Sequence, residues 1–63
     1  MDKTLDVLLK QVRDKRNQIV EAVANNAAKD FSEYQKLCGE IRGLSLVEGY
    51  ILDLAKNMEH LDD

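Results

Sequence analysis

The chain has 63 residues, of which 33% are charged and 44% hydrophobic, and its formal net charge is −3. This length allows one domain at most. Below about 70–80 residues, a core supplies only a few kcal/mol unless a disulfide, a metal or an oligomer adds to it. The single cysteine excludes an internal disulfide, and the single histidine predicts no zinc site. We therefore expect association with copies of the chain or with another protein.

Turn residues are scarce, with three glycines and no proline, which favours helices over a fold rich in strands. No apolar run approaches the ~20 residues of a membrane span, and the first residues do not form a signal peptide, so neither membrane insertion nor secretion is expected. The lone thiol indicates a reducing cytoplasm. Residues 1–30 have a charge balance of +1 and residues 31–63 one of −4, which favours antiparallel pairing of the two halves and disfavours nucleic-acid binding.

An amphipathic helix is predicted over about residues 3–25, where apolar residues recur at steps of three, four and seven. These residues are Leu5, Leu8, Leu9, Val12, Ile19 and Val23. Asp2 or Thr4 can cap its start. A basic patch on this helix could bind phosphate or an acidic protein, but the interleaved acids favour a solvated face or salt bridges between proteins. The patch consists of Lys10, Arg13, Lys15 and Arg16, and Lys10 is also spaced to pair with Asp14.

A connection is predicted near residues 25–31, because two consecutive asparagines tolerate the left-handed conformation that ends helices. Asp30 with Glu33, and Ser32 with Gln35, both match a capping box for a second helix over about residues 31–61. The predicted fold class is therefore all-α: an antiparallel, coiled-coil-like two-helix hairpin spanning residues 1–63 as one domain. The residues expected to be buried are Leu5, Leu8, Val12, Ile19, Leu37, Ile41, Leu44, Ile51 and Leu54.

The second helix carries more apolar residues than one neighbouring helix can cover. Leu37, Leu44, Ile51 and Met58 form a strict seven-residue row, and Leu46, Tyr50 and Leu52 lie off it. We expect this excess to contact a partner, although Tyr50 is equally compatible with packing inside the chain.

Gly39 and Gly43 stand four residues apart inside this helix. Each costs roughly 0.5–1 kcal/mol relative to Ala there, so their missing side chains suggest a use. One interpretation is a groove that admits a neighbouring backbone. The other is a kink or a break in the helix, which Gly49 also favours.

Candidate reactive groups are few. Cys38 could be a nucleophile or a regulatory thiol, but its place between Leu37 and Ile41 favours a small buried hydrophobe. Glu40, Glu48 and His60 could be imagined as metal ligands or acid–base groups, but their spacing favours surface positions. We expect no catalytic residue, no metal site and no cofactor.

The segment from Phe31 to Leu54 resembles short uncharacterised proteins encoded by tailed bacteriophages. The similarity lies in EYQKLCGEIRGL over residues 33–44 and ILDL over residues 51–54, and the rest of the chain is similar only in pattern. Those proteins look like helical hairpins without a known catalytic role. The resemblance implies a virion or accessory component assembled in several copies on capsid or tail proteins, located in the host cytoplasm and the virion. It also implies that Gly39, Arg42 and Gly43 define the contact region.

The expected function is that of a non-enzymatic structural or interaction protein that associates through its second helix. The alternative is a small soluble regulator that binds and inhibits a host or phage enzyme. A nucleic-acid binder is a third class, and an enzyme is the least expected, because two helices hardly offer a concavity where polar groups converge. The residues expected to bind a partner are Gly39, Arg42, Gly43, Leu46 and Tyr50.

Overall fold

The computed structural model describes residues 2–61, and side chains within residues 2–58. Helix α1 spans Lys3–Ala24 and helix α2 spans Phe31–Leu61, with no strand among the described residues. The helices pack on each other, with Arg13 and Arg16 both reaching Glu48, and a connection of only six residues requires them to run antiparallel. The predicted all-α hairpin is confirmed.

Local hydrogen bonds define both ends of α1. The Asp2 carboxylate caps its start and accepts hydrogen bonds from the backbone N–H groups of Thr4 at 2.7 Å and Leu5 at 3.4 Å. Of the two predicted caps, Asp2 is therefore used, and Thr4 lies inside the helix. At the other end, Asn26 has a φ of 59°, and the Ala27 N–H donates to the Ala22 carbonyl at 2.9 Å. A left-handed residue and this bond form a Schellman motif, which ends the helix.

The start of α2 depends on Asp30, the first residue of one of the two predicted capping boxes. The backbone N–H of Glu33 donates to the Asp30 carboxylate at 2.8 Å, so Asp30 is the cap and Ser32 lies within the first turn. A carboxylate at this position also interacts favourably with the helix dipole. From there α2 continues without interruption through all three glycines to Leu61.

A thin apolar core joins the two helices. Leu9, Val12 and Ile51 form its centre, with Leu5 and Leu44 packed against them. Ile19 and Ala55 are also buried, and Leu37 and Ile41 are half-buried. No side chain among residues 2–58 is fully buried.

The prediction of burial is wrong for two residues. Leu8 is 42% exposed and Leu54 is 50% exposed, whereas Leu9 and Ala55, which were not predicted to be buried, are 6% exposed each. The apolar stripe on each helix is wide enough for two neighbours, and a single neighbouring helix covers only part of it. The contact between α1 and α2 uses the side of the stripe that carries Leu9 and Ala55.

Candidate protein-interaction surface

The residues predicted to bind a partner lie along one face of α2. Gly39, Gly43, Leu46 and Tyr50 follow one another at steps of four, three and four, so an α-helix aligns them in one stripe ~16 Å long, with Arg42 next to Gly43 at its edge. All five are exposed, and the helix turns them away from the core residues Leu44 and Ile51. We call these five residues the outer face of α2.

The glycines of the outer face border open space. A Cβ atom added at Gly39 or at Gly43 would meet no other atom within 4 Å, and the same holds for Gly49. Helix α1 therefore does not use the missing side chains. Because α2 is continuous through these positions, the glycines do not end the helix either. The room they leave is accessible to another molecule.

Large apolar side chains follow the glycines toward the C-terminal half of α2. Leu46 is 55% exposed and Tyr50 is 65% exposed. Val47, Leu54 and Met58 are also exposed and lie beside them along the helix. A contiguous row of exposed apolar groups on a small chain is typical of a protein-interaction site. The sequence predicted this excess for Leu46 and Tyr50 but assigned Leu54 to the core.

The basic patch of α1 is engaged within the chain. Arg13 Nε donates to Glu48 Oε2, and Arg16 Nη1 donates to Glu48 Oε1 at 2.8 Å. Lys10 Nζ lies 2.7 Å from Asp14 Oδ2, as its spacing predicted, and both groups are exposed. The expectation of salt bridges to another protein is therefore wrong for Arg13 and Arg16, whereas Arg13 is exposed, as expected of a solvated face.

Glu48 is the residue whose role the sequence missed. It is half-buried between the helices rather than on the surface. Hydrogen bonds from Arg13 and Arg16 hold the pKa of its carboxyl group below the ordinary value, because they stabilise the charged form. The opposite charge balance of the two halves indicated such a pairing, but it did not identify the carboxylate.

Cys38 is half-buried rather than enclosed in the core. It lies one helical turn after Tyr34, and its thiol raises the pKa of the Tyr34 hydroxyl through a hydrogen bond and through charge. The ring of Tyr34 also stacks on Phe31, with 6.3 Å between the ring centroids. These neighbours provide no cation that would activate the thiol as a nucleophile.

Comparison with models of protein families, with curated proteins and with solved structures found no significant match to this chain.

Neither a metal-binding cluster nor a membrane span occurs within the described residues. Among the side chains of residues 2–58, no three His, Cys, Asp or Glu groups lie close enough to share a metal ion. His60 lies outside the described side chains. Over residues 2–61, both helices lack the long apolar run that a membrane span requires.

Proposed function

We propose that this chain is a non-enzymatic interaction protein that assembles in several copies on a larger protein structure through helix–helix packing. The observation that supports the proposal is the outer face of α2, where two glycines with open space around them precede exposed Leu46 and Tyr50. Full burial of a large apolar side chain contributes about 1.5–3 kcal/mol. A partner that covers this stripe would gain free energy that the isolated hairpin cannot.

The outer face has the composition of a contact for another helix. Glycines four residues apart let a neighbouring backbone approach closely. Beyond them, Leu46 and Tyr50 project apolar groups, and Arg42 beside them supplies a charged donor. Tyrosine and arginine are enriched among the residues that dominate binding energies. The proposed contact therefore has close backbone packing at one end and side-chain insertion at the other.

The resemblance of residues 31–54 to bacteriophage proteins supports a more specific proposal. In that form, the chain is a phage-encoded virion or accessory component, and its larger partner is a capsid or tail protein. Quantitative mass spectrometry of purified particles tests this by counting copies. Many copies per particle are expected. A one-to-one complex with a host or phage enzyme, together with absence from particles, would replace this proposal by an inhibitory regulator.

Paired variants test the outer face itself. Leu46→Glu should weaken binding to the purified partner at least about tenfold, because an unpaired carboxylate would enter an apolar contact. Leu52→Glu is the matched control, since Leu52 is 41% exposed on another side of α2 and should bind normally. Isothermal titration calorimetry measures both affinities. Equal affinities of the two variants would exclude the outer face from the contact.

A further inference from the structure

Each helix carries three rows of residues spaced seven apart, and the hairpin buries only two of them. The rows of α1 begin at Leu5, Leu8 and Leu9, and those of α2 begin at Leu37, Glu40 and Ile41. The first and third rows form the contact between the helices, including the core cluster of Leu9, Val12 and Ile51. The third rows also contribute the ion pair of Arg16 with Glu48. The described side chains of the middle rows are exposed apart from half-buried Ala22, and these rows also include the charged residues Lys15 and Glu40.

The middle rows of both helices lie on the same side of the hairpin. In an antiparallel pair, equivalent rows of the two helices flank the contact on the same side. This side carries Leu8 at 42% exposure, Val47 at 40% and Leu54 at 50%. We call Leu8, Val47 and Leu54 the open flank. It adjoins the outer face of α2, but it contains none of the five residues of that face and extends onto α1 through Leu8.

We infer that the open flank binds the open flank of a second copy, so that two hairpins form an antiparallel four-helix bundle. In this bundle α1 of each copy packs on α2 of the other. The inference rests on the proposed function, because it makes self-association the first step of assembly in several copies, but it uses a different surface. A helix with two neighbouring helices typically carries an apolar stripe made of three residues in every seven. The hairpin supplies only one of these two neighbours.

The dimensions of the hairpin fit a second copy. Its backbone extends over 51 Å by 16 Å on the broad side, a projected area of about 800 Å². Each partner of a standard-size specific interface buries about 800 Å². Two hairpins packed broad side to broad side therefore have room for a contact of that size, and the second copy matches the first in length.

Charge decides which helices are neighbours across the interface. Helix α1 carries five basic and three acidic side chains, a balance of +2, and α2 carries three basic and five acidic, a balance of −2. Packing α1 on α2 of the second copy gives every helix two neighbours of opposite balance. Packing α1 on α1 would instead place like charges together, which is unfavourable. The unlike arrangement also brings Leu8 opposite Leu54 of the second copy.

Sedimentation equilibrium tests the dimer. The wild-type chain, with a mass of 7.2 kDa, should sediment as a dimer of twice that mass. Leu54→Glu should weaken self-association at least about a hundredfold, because the twofold symmetry introduces two unpaired carboxylates. Leu46→Glu is the matched control, since Leu46 has a similar exposure of 55% but lies on the outer face. A monomeric wild-type chain, or equal association of the two variants, would overturn the inference.

Disulfide trapping tests the arrangement, with Cys38→Ser in every chain to remove the native thiol. A Leu8→Cys chain mixed with a Leu54→Cys chain should form a disulfide between the two on mild oxidation, and each chain alone should form much less. Predominant disulfides between identical chains would show that like helices are neighbours, against the inference.

The two proposals fail separately. Loss of the dimer in Leu54→Glu without loss of partner binding supports the bundle alone. Loss of partner binding in Leu46→Glu with an intact dimer supports the outer face alone. If Leu54→Glu unfolds on losing its second copy, Leu54→Ala provides a milder change, and it should still associate more weakly than Leu46→Ala.

Discussion

Glu48 joins the two helices at the middle of the hairpin. Its carboxylate accepts hydrogen bonds from both Arg13 and Arg16, one turn apart on α1. Hydrogen bonds of this kind, in which both groups are charged, are about twice as strong as neutral ones. Arg13 is largely exposed and Glu48 is half-buried, so solvent screens part of the interaction. The main consequence is orientation, because the pairing favours one register of α1 on α2.

The lowered pKa of Glu48 predicts how stability depends on pH. A carboxyl group whose pKa is lower in the folded state stabilises the fold at pH values above its unfolded pKa of about 4.3. This stabilisation is lost as the pH falls through the folded pKa. The denaturation midpoint of the wild type should therefore fall more between pH 6 and pH 3 than that of Glu48→Gln. Urea titrations monitored by circular dichroism measure both changes.

A matched control separates this ion pair from the general effect of acid. Glu40→Gln removes an exposed carboxylate from the same helix and should leave the pH dependence close to that of the wild type. If Glu48→Gln and the wild type lose stability equally in acid, Glu48 does not connect the helices in solution.

The glycines of α2 allow a second test at the level of single residues. Because a Cβ at each of the three sites meets only open space, Gly→Ala should stabilise the helix by roughly 0.5–1 kcal/mol per site. The pair Gly39→Ala and Gly43→Ala should gain stability but bind the partner more weakly, and the corresponding Leu pair should bind more weakly still. Chemical denaturation and calorimetry measure the two effects.

Gly49→Ala is the control, because Gly49 lies off the outer face. It should gain stability with unchanged binding. Equal binding by every variant would contradict a role for the glycine groove.

At the scale of the elements, short-range hydrogen bonds determine where each helix begins and ends. Asp2 and Asp30 cap the two N-termini, and Asn26 in the left-handed region ends α1. Each of these contacts joins residues only a few positions apart. The helices are therefore bounded by local chemistry, independently of how they pack on each other.

The cap of α2 can be tested against the competing capping box. Asp30→Ala should lower the free energy of unfolding by about 1 kcal/mol, because the N–H of Glu33 loses its acceptor. Ser32→Ala should change it by at most a few tenths of a kcal/mol, since Ser32 lies inside the first turn. Urea denaturation compares the two, and a larger loss for Ser32→Ala would move the cap to Ser32.

At the scale of the whole molecule, the hairpin has little apolar burial to offset the entropy of ordering its chain. Only five hydrophobic residues of the described part are buried, all at 5–9% exposure, while eleven large hydrophobic residues are exposed. Ordering a residue costs about 1–2 kcal/mol in backbone entropy alone. The small apolar burial set against this entropy cost indicates that folding and association are coupled.

Coupled folding and association predict a dependence on concentration. The helix content measured by circular dichroism should fall on dilution, and the melting temperature should rise with protein concentration, because association draws on the folded form alone. A melt independent of concentration, together with a monomeric mass, would show that the hairpin is stable without a second copy. The partner on the outer face would then be the only protein contact to test.

By itself, the sequence determined the structural features that depend on residues close together in the chain. The spacing of apolar residues and the capping motifs predicted two antiparallel helices, and α1 ends within one residue of the predicted position. The same spacing identified Val12, Ile19 and Ile51 as buried. The resemblance selected Gly39, Arg42 and Gly43, the excess of apolar residues added Leu46 and Tyr50, and the helix places all five on one face.

Only the tertiary structure decided which side of each apolar stripe is covered. Periodicity shows how wide a stripe is, but the register and rotation of α1 against α2 select Leu9 and Ala55 for burial and leave Leu8 and Leu54 exposed. The same geometry brought Glu48, among the acids of α2, to the two arginines. These outcomes depend on contacts between residues more than 30 positions apart. Local patterns carry no information about such contacts, because many registers bury a similar apolar area.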